Sequence, residues 1–164
     1  MKYIYDTFPT PTGEFSIALD ENGAVAATAF GGVAVLKKQL RKPDATRDTA
    51  GLRAAREQVQ AYFSGALRKF TLTLAPEGTA FQQSVWAALR RIPFGKTLSY
   101  GEIAAQVGNP KASRAVGRAN GTNPICLIVP CHRVIGADGS LTGFFYGNEI
   151  KRILLEHEGV PLKT

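Results

Sequence analysis

The sequence predicts an α/β chain in two parts, with a β-rich portion over 1–76 and a mainly helical portion over 77–164. Three observations carry that expectation. Alternating apolar segments flank the turn-forming "DENG" early in the chain. The stretch "APEG" (75–78) marks a break, after which the composition turns from β-rich to helical. Beyond it, two short helical patterns face each other across Gly108-Asn109-Pro110. At 164 residues the chain is long enough for one large domain or two small ones around real hydrophobic cores.

Taken in order, "EFSIAL" (14–19) and "AVAATAF" (24–30) read as the strands of a hairpin. "LKKQLRK" (36–42) reads as a short helix. "TAGLRAAREQVQAYFSG" (49–65) reads as a longer one, with Leu52, Ala55, Val59 and Tyr62 at helical spacing and Gly65 as its stop. "KFTLTLA" (69–75) alternates like a half-buried strand. Thr79 and Gln82 stand in capping-box register before a helix whose stripe is Phe81, Val85, Leu89 and Ile92, ended by Pro93. Ser99 caps a short helix over 99–108, and "KASRAVGRANG" (111–121) forms the second member of a helix-turn-helix. The last helix is "NEIKRILLEHEG" (148–159), with Ile150, Ile153, Leu154 and His157 on its apolar side.

Twenty Lys and Arg against thirteen Asp and Glu give a formal charge of +7 and a pI near 9.6. That balance favours a polyanionic partner, nucleic acid before membrane. No apolar run approaches the roughly 20 residues of a membrane span, and the start lacks the apolar core of a signal peptide. The expected location is the cytoplasm. Two cysteines and two histidines cannot supply a four-ligand zinc site without carboxylates, so no metal is expected. Cys126 and Cys131 lie in an extended-looking run that would hold them too far apart for a disulfide, and both read as thiols.

The second helix of the helix-turn-helix is rich in small residues: Ala112, Ser113, Ala115, Gly117 and Ala119. Such a face packs tightly on a neighbouring helix, or lets the backbone approach a DNA groove while Lys111, Arg114 and Arg118 supply charge.

"CLIVPCHRVIG" (126–136) joins a thiol, an imidazole and a guanidinium after a proline. Pro130 should end a strand "CLIV" and leave Cys131 where the backbone departs from the sheet. A nearby His⁺ or Arg133 would favour the thiolate, the nucleophilic form. In a regular strand His132 points away from Cys131, so a working pair needs a bend or an intervening water. The alternative is a buried structural cysteine beside a surface His-Arg pair. Glu158 follows Leu154 by four and Ile150 by eight, which puts a carboxylate on a core-facing ridge in need of a partner. His132 is the natural one; the alternative is a frayed helix end with Glu158 in solvent beside Gly159. Cys126 reads as a buried strand residue.

These motifs resemble the O6-alkylguanine-DNA alkyltransferases. The likeness is close over 79–159, around "IVPCHRVIG", and fainter upstream in "TPTGEFSIAL" and "AYFSGALRKFTLTL". The resemblance implies an N-terminal ribonuclease-H-like α/β domain and a mainly α, winged-helix-like C-terminal domain that docks in the minor groove. It also implies single-turnover transfer of an alkyl group from O6 of guanine, and from O4-alkylthymine, to Cys131 without a cofactor. On the same basis His132 activates Cys131 through a water and Glu158 orients His132. Tyr100 in "SYGEIA" protonates the departing guanine, and Asn123 in "NPI" braces the site. Arg114 in "SRAVG" enters the duplex in place of the flipped nucleotide, with Lys111, Ala112, Ser113, Ala115, Gly117 and Arg118 completing the DNA face. Tyr100, Val134, Phe144, Phe145 and Tyr146 form the substrate wall.

The chain departs from many relatives at "GFFYGN" (143–148), where they carry a tyrosine followed by small residues. A crowded loop should accept O6-methyl lesions and disfavour O6-benzyl ones. The family's zinc-binding N-terminal variant is excluded, because no cysteine or histidine precedes Cys126. The expected partner is double-stranded DNA carrying O6-alkylguanine, with no membrane partner; the protein is expected to be a monomer, with side-by-side clustering on DNA left open. Three rivals stay in view. A lesion-binding protein without transfer is opposed by Cys131, and a major-groove regulator by the small side chains of Ala112, Ser113 and Ala115. A cysteine hydrolase would turn over repeatedly.

Overall fold

The computed structural model describes residues 2–40 and 44–162. They form two compact units, Met1–Glu77 with Pro124–Cys126, and Gly78–Asn123 with Leu127–Thr164.

The first unit is built on a four-stranded mixed sheet. Strands β1 (Tyr3–Thr10), β2 (Gly13–Leu19), β3 (Val25–Phe30) and β4 (Ala45–Arg47) lie in the order β3-β2-β1-β4. β1–β2 and β2–β3 are antiparallel, and β1–β4 is parallel. The hairpin around "DENG" is present, with a bulge at Ala18/Leu19. Strand β1 had no sequence assignment. Its interior position 6 is a buried aspartate rather than an apolar residue, and Asp6 is paired with Arg47 at 3.1 Å and Arg56 at 2.8 Å.

Helix α1 (Val33–Lys37) begins three residues before the expected 36–42 and ends at Lys37. Positions 41 and 42 of that expectation lie outside the described residues. Helix α2 (Arg53–Ser64) buries Leu52, Ala55, Val59 and Tyr62 as its spacing requires. It stops at Gly65, whose φ of 86° is the left-handed conformation that glycine adopts without penalty.

The stretch 69–75 is not a strand. Among the described residues its only ladder contact is a parallel bridge between Val25 and Leu74. The amide of Thr71 donates instead to the Gln58 side chain of α2 (3.0 Å), which returns a bond to the Thr71 hydroxyl at 2.7 Å. Alternation identified an extended segment; a helix side chain took the groups a ladder would have used.

The second unit is helical. Helix α3 (Ala80–Arg90) carries the expected capping box, with Thr79 and Gln82 bonded reciprocally. Val85, Leu89 and Ile92 are buried, joined by Trp86 and Ala88, while Phe81 is only half-buried. Helices α4 (Tyr100–Gln106) and α5 (Ser113–Gly121) make the helix-turn-helix, α4 opening on a Ser99–Glu102 capping box. α5 starts two residues later than expected, leaving Lys111 in the turn and Ala112 as its N-cap. The Trp86 indole donates to the Ala119 carbonyl at 2.8 Å and ties α3 to α5. A two-stranded parallel sheet, β5 (Leu98–Ser99) with β6 (Val134–Ile135), lies in the same unit. The chain closes on α6 (Asn148–His157). Among the described residues no helix is long and apolar enough to cross a membrane.

Candidate active site

The run 126–129 does not form the expected strand. Leu127 takes a φ of +72°, outside the range a strand allows, and the chain turns there. An apolar run of this length carries no periodicity that separates a strand from a buried turn. The next turn is set by Pro130, whose φ of −81° and ψ of 65° are those of an inverse γ-turn. The Cys131 amide donates back to the Val129 carbonyl at 2.7 Å to close it. Asn123 braces the same carbonyl through Nδ2 at 2.9 Å. A 3-10 turn over Cys131–Arg133 follows, with the Arg133 amide donating to the Pro130 carbonyl. The chain therefore bends at the thiol instead of continuing as a regular strand.

Cys131, His132 and Arg133 are all buried. Cys126 is buried too, and neither cysteine is in a disulfide. His132 Nε2 is bonded to Glu158 Oε2 at 2.8 Å. Arg133 donates to the same carboxylate through Nε (2.8 Å) and Nη2 (3.1 Å), and through Nη1 to the Ile92 carbonyl (2.7 Å). Its guanidinium also lies 5.9 Å from the centre of the Phe94 ring. Glu158 is the C-cap of α6 and is fully partnered rather than frayed into solvent. The buried ridge of α6 is Lys151, Leu154, Leu155 and Glu158; Ile150, Ile153 and His157 are only half-buried. The helix is thus rotated by about one residue from the expected stripe.

The electrostatics follow from burial and these partners. Burial alone would raise the Glu158 carboxyl, but the His132 bond and the Arg133 fork hold it well below the usual carboxylate range. Burial pushes His132 down despite Glu158, so its ring is neutral near pH 7. With Nε2–H given to Glu158, Nδ1 is left as an acceptor. Burial pushes the Cys131 thiol up, and Asn123 and Lys151 oppose that push. The resting group is therefore a thiol, which becomes a nucleophile only by passing on its proton.

Lys151 is fully buried, its ammonium donating to the carbonyls of Val134 and Thr142. Burial lowers its pKa to about 8, with Cys131 pulling the other way. Tyr100 donates to the Thr142 carbonyl at 3.0 Å, and its hydroxyl pKa is raised by burial and by Cys131. The carbonyl of Thr142 is thus held by both Tyr100 and Lys151. Gly143 next to it has a φ of +73°, and a Cβ there would lie 2.7 Å from the Tyr100 oxygen. Only glycine fits at that position.

Cys131, His132, Glu158, Asn123 and Tyr100 thus gather in one unit, and Val134 joins them through Lys151. Phe144 is buried and Tyr146 half-buried, whereas Phe145 is 62% exposed with its ring 4.9 Å from that of Tyr146. Lys111 in the turn and Arg114 and Arg118 on α5 are exposed. Gly117 faces Tyr100, whose ring would lie 3.9 Å from a Cβ added there. Two site residues escaped the sequence reading. Lys151 sits on the same helical ridge as Glu158, a spacing that could have revealed it. Asn120, on the buried face of α5, donates to the Cys131 carbonyl at 3.3 Å; nothing in its sequence context marks it.

Residues 80–160 match the family model of the 6-O-methylguanine DNA methyltransferase, DNA binding domain. A methylated-DNA–protein-cysteine methyltransferase of Methanosarcina acetivorans is 51% identical over 156 residues, covering 94% of this chain and 97% of that protein. The constitutive enzyme of Bacillus subtilis is 44% identical, with 97% of each chain covered. The Mycobacterium tuberculosis OGT solved in complex with DNA superposes with a TM-score of 0.85 at 44% identity, over 96% of this chain and 92% of that one. Likeness of this depth over both units assigns the fold and the lineage together: the chain belongs to the methylated-DNA–protein-cysteine methyltransferase family.

Proposed function

We propose that this protein repairs DNA by moving the methyl group of O6-methylguanine onto Cys131. The observation that carries the reading is the buried His132–Glu158 pair, 2.8 Å apart, beginning at the residue next to the thiol. The Cys131 proton passes to His132 Nδ1 through a water, and Glu158 stabilises the imidazolium that results. The sulfur then attacks the methyl carbon; the S–C bond forms, the C–O6 bond breaks, and the electron pair leaves with the guanine. Tyr100 gives its hydroxyl proton to that leaving group. The thioether has no hydrolytic exit, so each molecule acts once, and no cofactor enters the scheme.

The target carbon is out of reach in stacked DNA, so the nucleotide is extruded at a cost of a few kcal/mol. Arg114 offsets that cost by taking its place, while Lys111 and Arg118 hold phosphates and Ala112, Ser113, Ala115 and Gly117 let the α5 backbone approach the minor groove. The exposure of the three cations supports this assignment. Phe144, Phe145 and Tyr146 with Val134 wall the base, favouring methyl over benzyl lesions, and O4-alkylthymine is a second substrate. Residues 77–164 carry DNA binding and catalysis, and 1–76 form the separate N-terminal domain. Two cysteines held outside any disulfide support a reducing compartment, the cytoplasm. The protein works as a monomer.

The DNA side of the reaction tests this. A duplex carrying O6-methylguanine, digested to nucleosides after incubation, is expected to show guanine in place of the lesion, in an amount equal to the protein added. Cys131→Ser should bind the same duplex and leave the lesion intact. A Cys131→Ser protein that still cleared the lesion would refute the assignment.

A further inference from the structure

Among the described residues two buried side-chain polar atoms have no hydrogen-bond partner, His132 Nδ1 and Asn120 Oδ1. Both belong to residues at the nucleophile. His132 follows Cys131 in the chain, and the Asn120 amide nitrogen is bonded to the Cys131 carbonyl. Both are acceptors as well. His132 commits its Nε2–H to Glu158, which leaves Nδ1 with a lone pair. Asn120 commits its amide nitrogen to Cys131, which leaves Oδ1 with two. A buried acceptor without a donor is costly, and two at one site call for a shared one.

We infer that Asn120 is a positioning residue for proton transfer, its Oδ1 and His132 Nδ1 together holding one buried water against the Cys131 thiol. The inference rests on the methyl-transfer reading given above. A water has two hydrogens and can accept, which matches the groups present. In the resting state it donates one hydrogen to His132 Nδ1 and the other to Asn120 Oδ1, and accepts from the Cys131 S–H.

On proton transfer the S–H bond breaks and the proton joins the water oxygen, while the hydrogen facing His132 moves to Nδ1. The water then accepts from Nδ1–H and donates to the new thiolate, and its bond to Asn120 is unchanged throughout. Asn120 therefore fixes which hydrogen is free to move. It does so from α5, the helix that carries Arg114 and Arg118, so the helix that meets DNA also orients the proton path.

The test is the single-turnover rate of methyl uptake by the full chain from an O6-methylguanine duplex across a pH series. Asn120→Leu removes the acceptor at similar volume. It is expected to slow transfer about tenfold and move the rising limb of the profile up by about one pH unit, with duplex affinity unchanged. A merely structural role would change thermal stability and leave the limb in place, and that result would overturn the inference. A high-resolution crystal structure of the wild-type protein decides the matter independently, and remains decisive if Asn120→Leu fails to fold. One water within hydrogen-bond reach of both atoms is expected; separate waters, or none between them, would overturn it. Failure of the wild-type chain to take up methyl would sink the underlying reading along with this one. Normal wild-type transfer with an indifferent Asn120→Leu sinks this one alone.

Discussion

Replacing Glu158 with alanine is expected to destabilise the protein by about 3–5 kcal/mol and to abolish rapid methyl transfer. The carboxylate is the shared acceptor of two buried donors, His132 at 2.8 Å and the Arg133 fork at 2.8 and 3.1 Å. Its removal strands a buried guanidinium and frees the imidazole to rotate or change tautomer. Glu158→Gln separates the two losses, since the volume is kept and the charge is not. It should retain more stability than alanine and remain slow in transfer, because a neutral amide cannot stabilise the imidazolium. Denaturant unfolding reads the first quantity and single-turnover kinetics the second.

The pH dependence carries a sign. His132 sits below its ordinary 6.5 and Glu158 below its ordinary 4.5 in the folded protein. The unfolded chain therefore binds more protons at both sites as the medium acidifies. Stability contributed here is present above pH 6.5 and is lost progressively as the pH falls through 6.5 and then 4.5. Glu158→Ala should flatten the lower part of that acid limb.

Lys151→Met is the second large effect. A fully buried ammonium holds the Val134 and Thr142 carbonyls, and Thr142 also anchors Tyr100. Methionine fills the space and donates nothing, so the Val134 carbonyl loses this donor at about 1–3 kcal/mol while Thr142 keeps only Tyr100, a loss partly offset because no charge is then buried. The lysine pKa falls from 10.5 to about 8 on folding. Below pH 8 the native state carries the strain of a buried charge; between 8 and 10.5 the folded protein has shed the proton while the unfolded chain still holds it. The stability advantage of wild type over Lys151→Met should therefore widen as the pH rises through that window. Methyl transfer should slow about tenfold for each unit by which loss of the nearby cation lifts the Cys131 thiol. A flat stability difference from pH 7 to 10.5 would show that Lys151 is not desolvated as described.

Local rules made much of the fold legible. The capping boxes at Thr79 and Ser99, the glycine stop at Gly65 and the Gly108-Asn109-Pro110 turn each depend on a few neighbouring residues, and each stands where the sequence put it, apart from the late start of α5. Strand β1 was hidden because its interior position 6 is an aspartate neutralised by arginines 41 and 50 residues away. The stretch 69–75 has the alternation of a strand but spends its groups on Gln58.

At the site, the Glu158–His132 contact could be argued from a carboxylate on an apolar ridge that needs a partner. The route the chain takes to Cys131 could not. A left-handed Leu127 and a γ-turn at Pro130 are fixed by packing and by the Asn123 side chain, which no periodicity reports. The ridge spacing of Lys151 with Glu158 marks its place, but neither its role nor that of Asn120 could be read. Their partners are main-chain carbonyls, and carbonyls leave no signature in the sequence.

The intact mass of the protein, followed with O6-methylguanine duplex in excess, tests the central claim most directly. A plateau at one added methyl group per chain, located by peptide mapping on Cys131, is the predicted result. Methyl groups on Cys126 or elsewhere, a second addition, or lesions cleared beyond the number of protein molecules would contradict it.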